Sequence, residues 1–176
     1  MRIVSGTHKG LRLSPPNNIT ARPTTDFAKE SLFNILVNRV DFEKLVALDL
    51  FAGTGGISYE LASRGCPLVT AVEMNRRHAD FIRKTCNALK LDAIHLIQGD
   101  VFKFVAACRT QFDLIFADPP YDLSALDSLP DLIFEKELLK PGGVFILEHP
   151  ARKSFAEHPH FVEHRHYGNV NFSFFE

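Results

Sequence analysis

The sequence has no tryptophan and only three cysteines among its 176 residues. Cys66, Cys86 and Cys108 lie 20 and 22 residues apart, a spacing that fits neither a metal motif nor a redox pair. Their odd number argues against a secreted disulfide framework. No apolar run approaches the roughly 18 residues that a membrane helix needs. The first residues lack the apolar segment of a cleaved signal. Nor is either sign of charge in excess: 20 basic residues face 21 acidic ones, for a net charge of −1. Bulk charge therefore gives no support for a nucleic-acid partner. Together these absences predict a soluble, cytoplasmic protein of one domain. What is present agrees. Apolar residues make up 45% and charged residues 23%, an ordinary globular balance. A chain of this length buries about 70% of its unfolded surface. The 16 phenylalanines mostly serve that core, because the ring carries no polar handle.

The charge is unevenly spread. Residues 1–40 hold Arg2, Lys9, Arg12, Arg22, Lys29 and Arg39 against Asp26 and Glu30, while residues 41–176 hold 14 basic against 19 acidic. A basic arm on an acidic body suits phosphate contacts at one edge. A solvated surface with uneven charge gives the same pattern.

Local patterning divides the chain in three. Arg2–Ser5 and Leu11–Leu13 flank Gly6–Gly10 and read as a small hairpin. Pro15–Asn18 reads as a loop. Thr24 or Thr25 then caps a helix with Asp26 in its first turn and an apolar stripe of Ala28, Leu32, Ile35 and Leu36. From residue 45 strands and helices alternate. Strands are expected at 45–50, 68–73, 94–97, 112–117 and 144–148, with helices between them and Pro141-Gly142-Gly143 closing the last one. Such alternation implies right-handed crossovers and a mostly parallel sheet covered on both faces. In the tail, Phe161–His166 and Val170–Phe175 flank a turn and read as an antiparallel hairpin closing one edge.

The residues suited to chemistry gather at the predicted strand ends. Asp49-Leu50-Phe51-Ala52-Gly53-Thr54-Gly55-Gly56 follows the first strand. In an open parallel sheet ligands bind outside the carboxyl ends of strands, and glycines let backbone amides approach them. A tight strand-to-helix turn alone would also explain it. The dinucleotide fingerprint needs a third glycine where this chain has Ser58, so that pattern fails. Glu73 ends the second strand, where a carboxylate can grip ribose hydroxyls. Gly99-Asp100-Val101 follows the third, where an acid can accept from an adenine amino group, with Met74 and Val101 sandwiching the ring. Each acid is singly explained as a helix cap. Together they favour an adenosine ligand without a pyrophosphate. Asp118-Pro119-Pro120-Tyr121 ends the fourth strand and is the sharpest feature. Two prolines fix φ and remove two N–H donors. Asp118 and the Pro119 carbonyl can then accept from an exocyclic amine, while Tyr121 stacks on its ring.

This order of motifs resembles the class I S-adenosylmethionine-dependent amino-methyltransferases. Over nearly its whole length the chain is similar to the RsmD-type family of 16S rRNA (guanine(966)-N(2))-methyltransferases. Arg2-Ile3-Val4-Ser5-Gly6, Lys9-Gly10 and Arg22-Pro23-Thr24 carry the narrower likeness. The resemblance implies a Rossmann-like α/β fold. Its sheet would be mostly parallel and seven-stranded, with a C-terminal antiparallel hairpin. One domain, 1–176, would comprise an extension at 1–40 and a catalytic core at 41–176. It implies S-adenosylmethionine held by Asp49, Phe51, Gly53, Gly55, Glu73, Met74, Asp100 and Val101, and a guanine held by Asp118, Pro119, Pro120 and Tyr121. Arg2, Lys9, Arg22 and Thr24 would touch RNA or close over the cofactor. The partner would be ribosomal RNA or a small-subunit particle, met by a monomer without metal or membrane. Gly56 departs from the family's usual small apolar residue or serine and is expected only to loosen the helix start.

Other readings remain. The amine could instead belong to DNA or to a protein glutamine, although glutamine enzymes usually carry Asn where this chain has Asp118. A non-catalytic RNA-binding or assembly module is a further class, and an NAD-dependent oxidoreductase is weakened by Ser58. Five histidines lie late, at 149, 158, 160, 164 and 166. All five, His149 included, are expected to face solvent rather than to bind zinc, with His158 and His160, like His164 and His166, sharing a strand face. Arg76, Arg77, Arg83 and Lys84 are expected on a solvated helix face.

Overall fold

Strands whose residues are apolar on both faces have only one home, the middle of a sheet covered on both sides. The computed structural model, which describes residues 1–16 and 26–176, builds that sheet. After α1 (Asp26–Leu36), the elements are β1 (Val46–Leu50), α2 (Gly56–Ser63), β2 (Leu68–Glu73), α3 (Arg76–Leu89), β3 (Ile94–Gln98), α4 (Val101–Ala107), β4 (Phe112–Ala117), α5 (Leu129–Glu135), β5 (Leu139–His149), β6 (Phe161–Tyr167) and β7 (Val170–Phe175). Their order across the sheet is β3-β2-β1-β4-β5-β7-β6. Strands β1 to β5 are parallel, and β7 runs antiparallel between β5 and β6. The chain winds outward from β1 to β3 and then returns to place β4 on the other flank of β1. That reversal opens a crevice at the carboxyl ends of β1 and β4.

Alternate residues of each strand feed two cores. Ala47, Ala71, Phe116 and Ile146 meet α1, α2 and α3 on one face. Leu48, Val72, Ile115 and Leu147 meet α4 and α5 on the other. Local caps set the helix starts. The Asn75 side chain accepts from the amides of Arg77 and His78 to begin α3, and Asp100 accepts from Lys103 N at 2.9 Å to begin α4. Lys90 ends α3 in the left-handed region, φ 53°.

The N-terminal hairpin forms as predicted, through an Arg2–Arg12 bridge with Ile3 N donating to Leu11 O and Gly10 N to Ile3 O. It lies along α2. Val4 N and Ser5 N donate to Glu60, which is fully buried and also bonded by Arg64. Lys29, 2% exposed, brings Nζ to 3.8 Å from the same carboxylate and donates to Arg2 O. Burial pulls the lysine's pKa down, opposed mainly by Glu60. The hairpin's tip is pinned by Thr7 N and His8 N donating to Ser63.

Three expectations change. β5 begins at Leu139 instead of Val144 and takes in Pro141-Gly142-Gly143. A register shift at Phe112–Leu114 absorbs these residues, and a Cβ on Gly143 would stand 3.0 Å from Asp113 O. His149 is not solvent-facing. It is 1% exposed at the end of β5, where Nδ1 meets Pro150 O and Nε2 meets Ser173 Oγ. Burial lowers its pKa. His158 and His160 precede β6, so they share no strand face; they pack on the Phe134 ring instead. The Thr24 or Thr25 cap lies outside the described residues. No helix among the described residues is long and apolar enough to cross a membrane.

Gly6 has φ +82°, and a Cβ there would stand 1.7 Å from Ser63 O. Gly6→Ala is expected to lower unfolding free energy by about 1–3 kcal/mol. It should also speed amide exchange through residues 2–13. Unchanged stability and exchange would show that the hairpin's hold on α2 is dispensable.

Candidate functional site

The register brings the predicted strand ends into one row. Leu50 aligns with Val72 on one side and Ala117 on the other, and Ala117 aligns with Leu147. Glu73, Asp118 and Glu148 come next along their strands. Each of these, like Asp49, lies two residues beyond a member of the first core, so all four carboxylates face the same side.

Asp49 is 1% exposed, and its Oδ2 accepts from Ser58 N at 3.1 Å and Ser58 Oγ at 2.5 Å. Burial pushes its pKa up to about 7, against the pull of the Ser58 bonds. Ser58 thus stands where a dinucleotide site has glycine because it ties α2 to β1. Glu73, 8% exposed, accepts from Gly53 N at 2.7 Å through Oε2 and from Asn75 N at 2.7 Å through Oε1, with His78 Nδ1 at 3.6 Å. One side chain thereby shapes both the glycine loop and the start of α3.

Within that loop three successive odd positions are left-handed: Phe51 (φ 59°), Gly53 (φ 56°) and Gly55 (φ 86°). Only glycine adopts this region freely, so Phe51 is strained and is held by an edge-on contact with Phe102. A Cβ on Gly53 would meet nothing nearer than Phe51 O at 3.9 Å, so the loop's outer face is open. Gly55 instead yields to the Tyr59 ring, 2.7 Å from its would-be Cβ. At Gly56 the neighbour is Met1 Sδ, at 2.9 Å; this glycine makes room for the N-terminal arm rather than loosening the helix.

Asp100 caps α4, whose Phe102 touches Phe51 of this loop. Met74 is 67% exposed, whereas Val101 is only 3% exposed and belongs mainly to the second core. Asp118 N reaches Leu50 O at 3.4 Å, continuing the β1–β4 pairing into the turn. Asp118 is half-buried, Pro119 buried and Pro120 exposed. Tyr121 is held at both ends: its hydroxyl donates to Glu148 Oε1 at 3.1 Å, and Arg152 Nη2 donates to its carbonyl at 2.7 Å. Glu148, 4% exposed, was missed by sequence reasoning, although an acid at the end of the fifth strand repeats the signal of the first four.

The predicted RNA contacts are spread apart. Arg2 is engaged with Glu30 at 3.3 Å. Lys9 is exposed at the hairpin tip, by the C-terminal end of α2 and a helix length from the glycine loop. Arg22 and Thr24 lie outside the described residues. On α3, Arg76 and Arg83 pair with Asp80 on an exposed face, as expected.

The family model described as "Conserved hypothetical protein 95" matches residues 1–176. The Haemophilus influenzae protein named "Ribosomal RNA small subunit methyltransferase D" is 31% identical over 152 residues, 84% of this chain and 78% of its own. Among solved structures, a hypothetical protein of Thermus thermophilus superposes with a TM-score of 0.86 at 27% identity, covering 100% of this chain and 99% of that one. The T. thermophilus 16S rRNA N2 G1207 methyltransferase, solved with AdoMet and guanosine, superposes at 0.70 with 23% identity. It matches 89% of this chain with 44% of its own, a likeness of fold alone.

Asp49 supplies a pH test. Its folded carboxyl keeps a proton up to about pH 7, while the unfolded one loses it near 3.8. Stability due to that proton is complete below the lower value and disappears as pH rises to the upper one. Relative to Asp49→Asn, the wild type should lose at most about 4 kcal/mol between pH 4 and 7 and then level off. Denaturant unfolding across that range checks this, and a constant difference would refute it.

Proposed function

The chain belongs to the family described as Conserved hypothetical protein 95, the RsmD-type methyltransferases, and from that premise we propose its reaction. It transfers a methyl group from S-adenosylmethionine to the exocyclic N2 amine of a guanine in small-subunit ribosomal RNA. One observation carries the reading. Asp118-Pro119-Pro120-Tyr121 ends β4 directly beside the glycine loop that ends β1, at the carboxyl end of the sheet.

The residues fit the cofactor. The open outer face of Gly53 admits close approach of a ligand to the backbone. Each Glu73 oxygen uses one lone pair on a loop amide and keeps another for a ribose hydroxyl. The buried Glu73 carboxylate disfavours a pyrophosphate at the same place. In this reading Phe51, Gly53, Gly55, Glu73, Met74, Asp100 and Val101 hold the adenosine and methionine portions, and Asp49 keeps the loop in shape. When bound, S-adenosylmethionine supplies a methyl group already activated on a sulfonium.

The rest falls to positioning by the chain. A base amine conjugated with its ring is a poor nucleophile, and within a helix it is out of reach. The target base therefore leaves its stack and enters the crevice. Tyr121, tethered by Glu148 and Arg152, covers one face of the ring. Asp118 and the Pro119 carbonyl accept the two N2–H groups, which turns the nitrogen lone pair toward the methyl group. As N2 takes the methyl group, the S–C bond would break with its electron pair left on sulfur, which departs as an uncharged thioether; Asp118 would accept the proton that the positively charged N2 then sheds. Arg2, Lys9, Arg22 and Thr24 are proposed to meet flanking RNA, the tip lysine at a distance from the reacting base.

Incubating the protein with methyl-labelled cofactor and either naked 16S rRNA or small-subunit particles lacking the modification tests the substrate. Labelled N2-methylguanosine is expected, and label in any other nucleoside, or none, would overturn the assignment. Asp118→Ala should lower transfer by about 100-fold or more while leaving cofactor affinity little changed. A parallel loss of cofactor binding would give Asp118 another role.

A further inference from the structure

We propose that Glu148 is the residue that tells guanine from other 2-amino purines, by accepting the N1–H beside the amine that Asp118 holds. The inference deepens the reading above and rests on it.

Placement is the first support. Ala117 and Leu147 are partners across the parallel β4–β5 pair, so Asp118 and Glu148 follow side by side on adjacent strands, about 4.8 Å apart in the backbone. Both face the side of the first core. The second support is the link to Tyr121. Glu148 Oε1 accepts from the hydroxyl of the ring that covers the base, at 3.1 Å. The carboxylate therefore lies at the rim of whatever that ring covers. Arg152 fixes the tyrosine from its carbonyl end, so the ring and carboxylate keep their relation. A third support is burial. Glu148 is 4% exposed, and a carboxylate withdrawn from water at the site discriminates strongly between a donor and a lone pair opposite it.

The chemistry then selects one base. The edge of guanine presents N1–H and the N2 amine as adjacent donors. Two neighbouring carboxylates are all acceptor and match that edge. Adenine offers a lone pair at N1 and no amine at C2. The base 2,6-diaminopurine keeps the reacting amine but turns a lone pair toward Glu148, so two acceptors would face each other.

The test follows from that last base. Once the labelled nucleoside has been located, RNA carrying either guanine or 2,6-diaminopurine at that position is compared as substrate. The wild type is expected to favour guanine by on the order of 10- to 100-fold in kcat/KM. Glu148→Gln, whose amide offers a donor as well as an acceptor, should bring the two substrates close to parity. Its cofactor affinity should stay that of the wild type. Tyr121→Phe, which keeps the carboxylate, should slow both substrates and preserve the preference. Equal use of the two bases by the wild type overturns the proposal, as does an unchanged preference in Glu148→Gln. If that variant fails to fold, the wild-type ratio decides alone. Failure to label any guanine strikes the proposed reaction itself, whereas labelled guanine without preference strikes only the role of Glu148.

Discussion

A carboxylate at the end of a parallel strand, captured by the amides of the turn that follows, is the interaction on which the site depends. Asp49 holds Ser58, Glu73 holds Gly53 and Asn75, and Asp100 holds Lys103. The bonds to Ser58 and Lys103 satisfy amides that a helix start leaves without partners, and the bond to Gly53 satisfies one in the loop itself. Each also fixes the path of a loop that a ligand must approach. The strain at Phe51 persists because its neighbours on both sides are held in this way. Asp49 is the extreme case, in which burial penalises the charge enough to push the pKa up to about 7. That penalty is tolerated where it fixes the shape of a binding loop.

The same logic organises the N-terminal arm. Glu60 has no contact with water, yet it receives two backbone amides and Arg64, with Lys29 close by. A buried charge is tolerable only when so fully partnered. Because α2 begins at the glycine loop and ends under the hairpin, one short helix connects the arm to the site. Met1 closes the circuit by packing its sulfur over Gly56.

Much of this was legible in the sequence because it is local. Strand limits at Leu68–Glu73 and Phe112–Ala117, the helix Val101–Ala107 and the tail hairpin follow from short-range pattern. So does the placing of Asp49, Glu73, Asp100 and Asp118 at strand ends. What the sequence concealed depends on partners far along the chain. The start of β5 hides behind Pro141-Gly142-Gly143, which reads as a stop unless β4 is present to pair with it. His149 looks like a solvated histidine until Ser173, 24 residues later, gives it a partner. Glu148 becomes visible as a site residue only once Tyr121 is seen to bond it across 27 positions. Lys29 and Glu60 read as surface charges because nothing local says that they meet.

Translation proceeds from the amino end, and β7 is placed between β5 and β6. All six of its residues are buried, with Phe172 and Phe174 in one core and Phe175 in the other. Until residues 170–175 have left the ribosome, β5 therefore presents an unpaired, largely apolar flank to the cell. Such an edge invites pairing with other nascent chains. A turn of two residues joins β6 to β7, but a lone hairpin is marginal in water, so this one is stabilised by packing on β5 and the cores. Productive folding thus requires β7 to cover that flank before another chain does.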